Sequence, residues 1–128
     1  MTTILIVDDD RQFNNLLCQC IEKEGYSSVT AADGNEAIKL ALIHHPSLVI
    51  TDILMPDKEG LDTIRELRRI APETKIIAIS GGGEITADLY LKMAKSLGAH
   101  HTLEKPFARG ELLDTIALLL SNSGRDAP

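Results

Sequence analysis

Five short apolar runs, each halted by a polar residue and each followed by helical periodicity, constrain this chain more than any other feature. The runs are Thr3–Val7, the weaker Ser27–Ala31, Leu48–Ile50 leading into Thr51 and Asp52, Lys75–Ser80, and His101–Glu104. The first, third and fourth are continuous and rich in β-branched residues, as in strands buried on both faces. The helical stripes between them are Phe13, Leu16, Leu17, Cys20 and Ile21, then Ala37, Ile38, Ala41 and Leu42. Leu61, Ile64, Leu67 and Ala71 follow, then Tyr90, Met93, Ala94 and Leu97 within Thr86–Leu97, and finally Leu112, Leu113, Ile116, Leu119 and Leu120. All recur at i, i+3, i+4 spacing. Asp10 or Asp9 can cap the first helix, and Asp33 with Glu36 resembles a capping box for the second. Gly25, Pro46, Pro72 and Gly98 are stops, and Pro56 and Gly60 mark a loop.

Strand–helix alternation implies parallel pairing through right-handed crossovers, hence a doubly wound α/β sheet. All carboxyl ends of the strands then lie along one edge, where such sheets bind ligands. A chain of 128 residues predicts one domain, placed at residues 1–120, with the polar stretch Ser121–Pro128 as a flexible tail. Hydrophobic content of 44% and charged content of 25% fit an ordinary globular core. A net charge of −6 argues against direct nucleic-acid binding, which needs a basic face. No apolar run is long enough for a membrane span, and the start lacks a basic leader region, so the expected setting is cytoplasmic. Cys18 and Cys20 are two apart on a helix, a spacing that points them away from each other and fits a reducing compartment. The adjacent pairs His44-His45 and His100-His101 read as surface residues rather than zinc ligands. Arg65, Arg68 and Arg69 read as a solvated face.

The strand ends carry the chemistry. The first presents Asp8 and Asp9, the third Asp52, the fourth Ser80 and the fifth Lys105. Carboxylates brought together repel, at a cost on the order of 4 kcal/mol per pair at about 4 Å and an effective dielectric near 20. A divalent cation with oxygen preference, Mg²⁺ or Mn²⁺, offsets this, and Lys105 adds a compact positive charge. In that setting Asp52 is a candidate nucleophile for phosphoryl transfer, with Lys105 and the Ser80 hydroxyl on the phosphoryl oxygens.

The segments Ile4–Asp10 (Ile-Leu-Ile-Val-Asp-Asp-Asp), Thr51–Pro56 (Thr-Asp-Ile-Leu-Met-Pro), Ala78–Ser80 and Lys105–Phe107 (Lys-Pro-Phe) resemble the receiver domains of bacterial response regulators. Each motif alone is weak, but four in order, each ending an expected strand, are specific. The resemblance covers residues 3–120 and implies a flavodoxin-like (β/α)5 fold with strand order 2-1-3-4-5. It implies Asp52 as phosphoacceptor. It makes Asp9 a direct Mg²⁺ ligand, Asp8 a ligand acting mainly through water, and the backbone carbonyl of Leu54 a further ligand. It makes Ser80 the hydroxyl that moves onto the phosphoryl group, and the Lys105–Pro106 peptide bond cis. It implies a histidine kinase or histidine phosphotransfer protein as donor. It implies that the signal leaves to a downstream protein or a homodimer through the face of the fourth helix, fifth strand and fifth helix. It implies at most self-phosphorylation from small donors and autodephosphorylation as catalysis.

The chain departs from that family pattern in three places. Thr102 stands where receivers usually carry the aromatic or histidine partner of the hydroxyl switch. Gly81-Gly82-Gly83 lengthens the connection after Ser80. Leu54 and Gly82 stand where polar side chains often position water, which implies an altered phosphoryl lifetime. Two competing readings follow from the same residues. An aspartate-nucleophile phosphohydrolase wants a second acid two positions after Asp52, and Leu54 opposes it. A pseudo-receiver, an interaction module without phosphorylation, is opposed by the complete set Asp8, Asp9, Asp52, Ser80 and Lys105.

Overall fold

The computed structural model describes residues 2–53, 60–81 and 92–125. Five strands, β1 (Thr3–Val7), β2 (Ser27–Ala31), β3 (Leu48–Asp52), β4 (Lys75–Gly81) and β5 (His101–Lys105), form one parallel sheet in the order β2-β1-β3-β4-β5. The helices are α1 (Arg11–Lys23), α2 (Gly34–His44), α3 (Gly60–Ile70), α4 (residues 92–97) and α5 (Arg109–Arg125). The doubly wound α/β architecture and the strand order are as the sequence implies.

Alternation along each strand divides the core into two layers. Ile4, Ile6, Leu48, Ile50, Ile77, Ile79 and Leu103 pack on Leu17 and Ile21 of α1 and on Leu112, Ile116 and Leu119 of α5. Leu5, Val7, Val49, Ile76 and Ala78 face the other way, onto Ala37 and Ala41 of α2, Leu61, Ile64 and Leu67 of α3, and Ala94. The central strands are apolar at every position because both of their faces are covered.

The helix ends use local chemistry. The Asp10 side chain caps α1, accepting from the backbone N–H groups of Gln12 (3.0 Å) and Phe13 (3.3 Å). Asp33 accepts from the N–H of Glu36, and the Glu36 carboxylate reaches back to the N–H of Ala32, a variant of the capping box shifted by one residue. Gly25 closes α1 with a φ of +93°, while the N–H groups of Gly25 and Tyr26 donate back to the carbonyls of Glu22 and Ile21. The left-handed residue that ends α2 is His45, ahead of Pro46.

Several expectations need correction. Leu16 and Leu42 are solvent-exposed, not core. The buried stripe of α1 turns the other way, through Asn14 and Leu17, with Cys18 packed at its margin. Gly60, expected in a loop, is the first residue of α3. Helix α5 runs to Arg125, past the domain boundary expected at residue 120. Met93 is largely exposed. His100 is half-buried and structural: its Nδ1 accepts from the N–H of Ile76 at 3.0 Å, and its own N–H donates to the Ile76 carbonyl at 2.8 Å. Burial first, then the positive charges of Lys75, Arg68 and Lys95, hold its pKa below the ordinary histidine value. Cys18 and Cys20 are both free thiols. The expected metal-ligating carbonyl of Leu54, Pro56, Gly82, Gly83, Tyr90 and the first part of the helix expected over 86–97 lie outside the described residues.

Candidate phosphoryl-transfer site at the carboxyl edge of the sheet

β1 and β3 are neighbours, so their carboxyl ends deliver Asp8, Asp9 and Asp52 to one place. One carboxylate oxygen from each lies within 4.8 Å of the others. Asp8 and Asp52 are buried and Asp9 is exposed. Asp8 is fixed from several directions. Its N–H donates to the Ala31 carbonyl (3.1 Å), its carbonyl accepts from Asn14 Nδ2 (2.8 Å), and its Oδ1 accepts from the N–H of Asp10 (2.9 Å). A buried carboxylate held in this way is prevented from relaxing away from its like-charged neighbours.

Lys105, at the end of β5, supplies the counter-charge. Its Nζ lies 3.1 Å from Asp8 Oδ2 and 3.7 Å from Asp52 Oδ2. The Lys105–Pro106 bond is cis, as expected.

Sheet register sorts the remaining candidates. Asp52 pairs with Ile79, Ser80 with Glu104, Ala78 with Thr102 and Gly81 with Lys105. Residues opposite each other in a parallel ladder share a face, and faces alternate along the strand. Asp52 and Lys105 therefore belong to the face covered by α1 and α5. Ser80 and Thr102 share the face covered by α2 and α3. Ser80 is fully buried, and Thr102 is half-buried. The described site thus joins Asp8, Asp9, Asp52 and Lys105 directly, with Ser80 next to it across the edge and Thr102 two residues down the same face.

Two residues at this edge were not singled out by sequence reasoning as site residues. Asn14 reads as a polar helix position, yet it is buried and ties α1 to the Asp8 backbone. Phe13 reads as a core residue, yet the Lys105 ammonium stands 4.0 Å from its ring centroid. The available signal was the pairing of a phenylalanine three residues after the acid run with the phenylalanine of Lys-Pro-Phe.

The chain matches the family model described as the response regulator receiver domain over residues 4–117. It is 37% identical over 123 residues to the transcriptional regulatory protein CpxR of Escherichia coli (strain K12), covering 96% of this chain and 51% of CpxR. It is also 37% identical over 121 residues to the transcriptional regulatory protein PdtaR of Mycobacterium tuberculosis (strain ATCC 25618 / H37Rv), covering 92% of this chain and 56% of PdtaR. The chain spans about half the length of these curated relatives. Among solved structures, a CheY-like response regulator receiver domain protein from Methanospirillum hungatei JF-1 superposes with a TM-score of 0.90 at 27% identity, covering 99% of both chains. The fold, the strand order and the match across nearly the whole chain agree, and the chain belongs to the response regulator receiver domain family of two-component signalling.

Proposed function

We propose that this chain accepts a phosphoryl group on Asp52 and thereby switches the state of a partner. The observation that carries the reading is the Asp52 carboxylate at the end of β3, beside two further carboxylates and 3.7 Å from the Lys105 ammonium. In the transfer, an Asp52 oxygen forms a bond to phosphorus while the bond from phosphorus to the donor breaks. The donor group leaves with the electron pair. Lys105 draws the new negative charge, and the Ser80 hydroxyl is the next donor along the edge.

The donor set fits a hard divalent cation, Mg²⁺ or Mn²⁺. Three carboxylates within 4.8 Å, with no nitrogen or sulfur ligand among them, suit an oxygen-seeking ion. Asp8, Asp9 and Asp52 would hold it, with the Leu54 carbonyl as the further ligand implied by the family. Such an ion supplies charge neutralisation for the phosphoryl oxygens.

A histidine kinase or histidine phosphotransfer protein fits as donor. The output passes to a downstream protein or a homodimer through the α4–β5–α5 face, by a shift in a pre-existing equilibrium. Two free, half-buried thiols support a cytoplasmic setting.

Intact-mass measurement after incubation with Mg²⁺ and acetyl phosphate tests the reading. One phosphoryl adduct per chain, absent from Asp52→Asn, is the expected result. No adduct in the wild type, together with no Mg²⁺ binding, refutes it.

A further inference from the structure

The chain contains two phenylalanines, and both stand at Lys105. Phe13 comes from the first turn of α1, and its ring centroid is 4.0 Å from Lys105 Nζ. Phe107, two residues after the lysine, meets Phe13 edge to face at 84° with centroids 6.1 Å apart. We propose that Phe13 is a positioning residue for phosphoryl transfer, holding the Lys105 ammonium by its ring face, with Phe107 fixing the orientation of that ring. The proposal rests on the phosphoacceptor reading above for its functional consequence. Its structural content stands independently of that reading.

The case starts from what else holds Lys105. Among the described residues, its other partners, Asp8 Oδ2 at 3.1 Å and Asp52 Oδ2 at 3.7 Å, are the groups whose charge is drawn upon when a cation or a phosphoryl group is engaged. A lysine tethered only by those carboxylates loses its anchor at the moment it is needed, because an ammonium is a point charge on a flexible stem with about 2 kcal/mol of rotamer entropy. An aromatic ring face attracts a cation through its quadrupole and carries no net charge. That contact is indifferent to how the carboxylates are shared.

The ring is itself well defined. The Asp10 cap accepts from the Phe13 N–H at 3.3 Å, so the acid run that supplies Asp8 and Asp9 also sets the turn that carries Phe13. An edge-to-face pair has a preferred geometry beyond area burial. Phe107 thus turns the Phe13 face toward the ammonium rather than merely filling space. Lys105 is partly shielded, with its side chain 27% exposed, which places the contact between the exposed and desolvated limits for such pairs.

The test compares Phe13→Leu, which keeps apolar bulk and loses the ring face, with Phe13→Trp, which keeps a ring face. Two quantities are read. One is the rate of adduct formation from acetyl phosphate at saturating Mg²⁺. The other is the proton chemical shift of the Lys105 methylene groups next to Nζ, which a ring face at this distance moves upfield. Phe13→Leu is expected to slow adduct formation by about three- to tenfold and to abolish the upfield shift, while Phe13→Trp retains the shift and most of the rate. An unchanged rate in Phe13→Leu, or Phe13→Trp as slow as Phe13→Leu, overturns the positioning role. Lys105 methylene shifts in the wild type that lack any ring-current displacement overturn the contact itself, and that reading needs no variant to fold. A wild type that shows the displaced shift but takes no adduct refutes the phosphoacceptor reading and leaves the contact standing.

Discussion

Replacing Asp9 by asparagine should stabilise the metal-free protein and remove most of its response to Mg²⁺. One oxygen each of Asp8, Asp9 and Asp52 can lie within 4.8 Å of the others. At that separation each like-charged pair costs about 3.5 kcal/mol at an effective dielectric near 20 and about 0.9 kcal/mol at the dielectric of water. Asp9 is exposed, so solvent and salt screening put its terms toward the lower figure. Asp9→Asn removes two such repulsions and forfeits a weaker attraction to Lys105, for a net gain of about 1 kcal/mol, or roughly 3–5 °C in Tm for a domain of this size. A cation bound by the three acids, as proposed above, would stabilise the native wild type by about 2.7 kcal/mol at a hundredfold excess over Kd. Thermal or urea unfolding with and without Mg²⁺ checks both parts. The reasoning is refuted by an Asp9→Asn protein that melts below the wild type without metal, or by one that gains as much from Mg²⁺ as the wild type does.

Two further expectations concern the amino-terminal side of β4 and β5. The pKa of His100 is held below its unfolded value of 6.5, so the native state binds fewer protons than the unfolded chain. Its contribution is complete above about pH 6.5 and is lost as the pH falls below that value toward the folded pKa. The fall in urea midpoint between about pH 7.5 and about pH 5.5 should therefore be smaller in His100→Ala than in the wild type, and an equal fall in both sinks the assignment. Gly98 has a φ of +121°, and a Cβ there would lie 2.6 Å from Arg68 Cγ. Gly98→Ala should cost about 1–3 kcal/mol in chemical denaturation, and a neutral result contradicts the strain argument.

The fold was largely legible because its main signal is redundant. β1, with apolar residues from Ile4 to Val7, reads as a strand covered on both faces by its length and β-branched content, and β4 repeats the pattern. The site was legible for a related reason: Asp8, Asp52 and Lys105 each stand where an apolar strand stops. Stripe margins were less legible. Asn14 lies within the buried arc of α1 beside Leu17 and Ile21 while Leu16 faces solvent, and periodicity favoured the apolar residue over the polar one that is buried. Asn14 is buried because its amide is spent on the Asp8 carbonyl, a tertiary contact that no local pattern encodes. His100 escaped for the same reason, since its partner Ile76 is 24 positions away. The run Ser121–Arg125 reads as coil by composition. Adding residues to a helix that is already nucleated costs little, which is how α5 continues through it.

The ion pair between Asp8 and Lys105 spans 97 positions, from the end of the first strand to the end of the last. Until β5 is laid against β4, the acid cluster lacks the Lys105 ammonium. That contact is thus a certificate of completed folding. A truncated or partly folded chain would keep every acid in its sequence, yet lack the lysine placed among them.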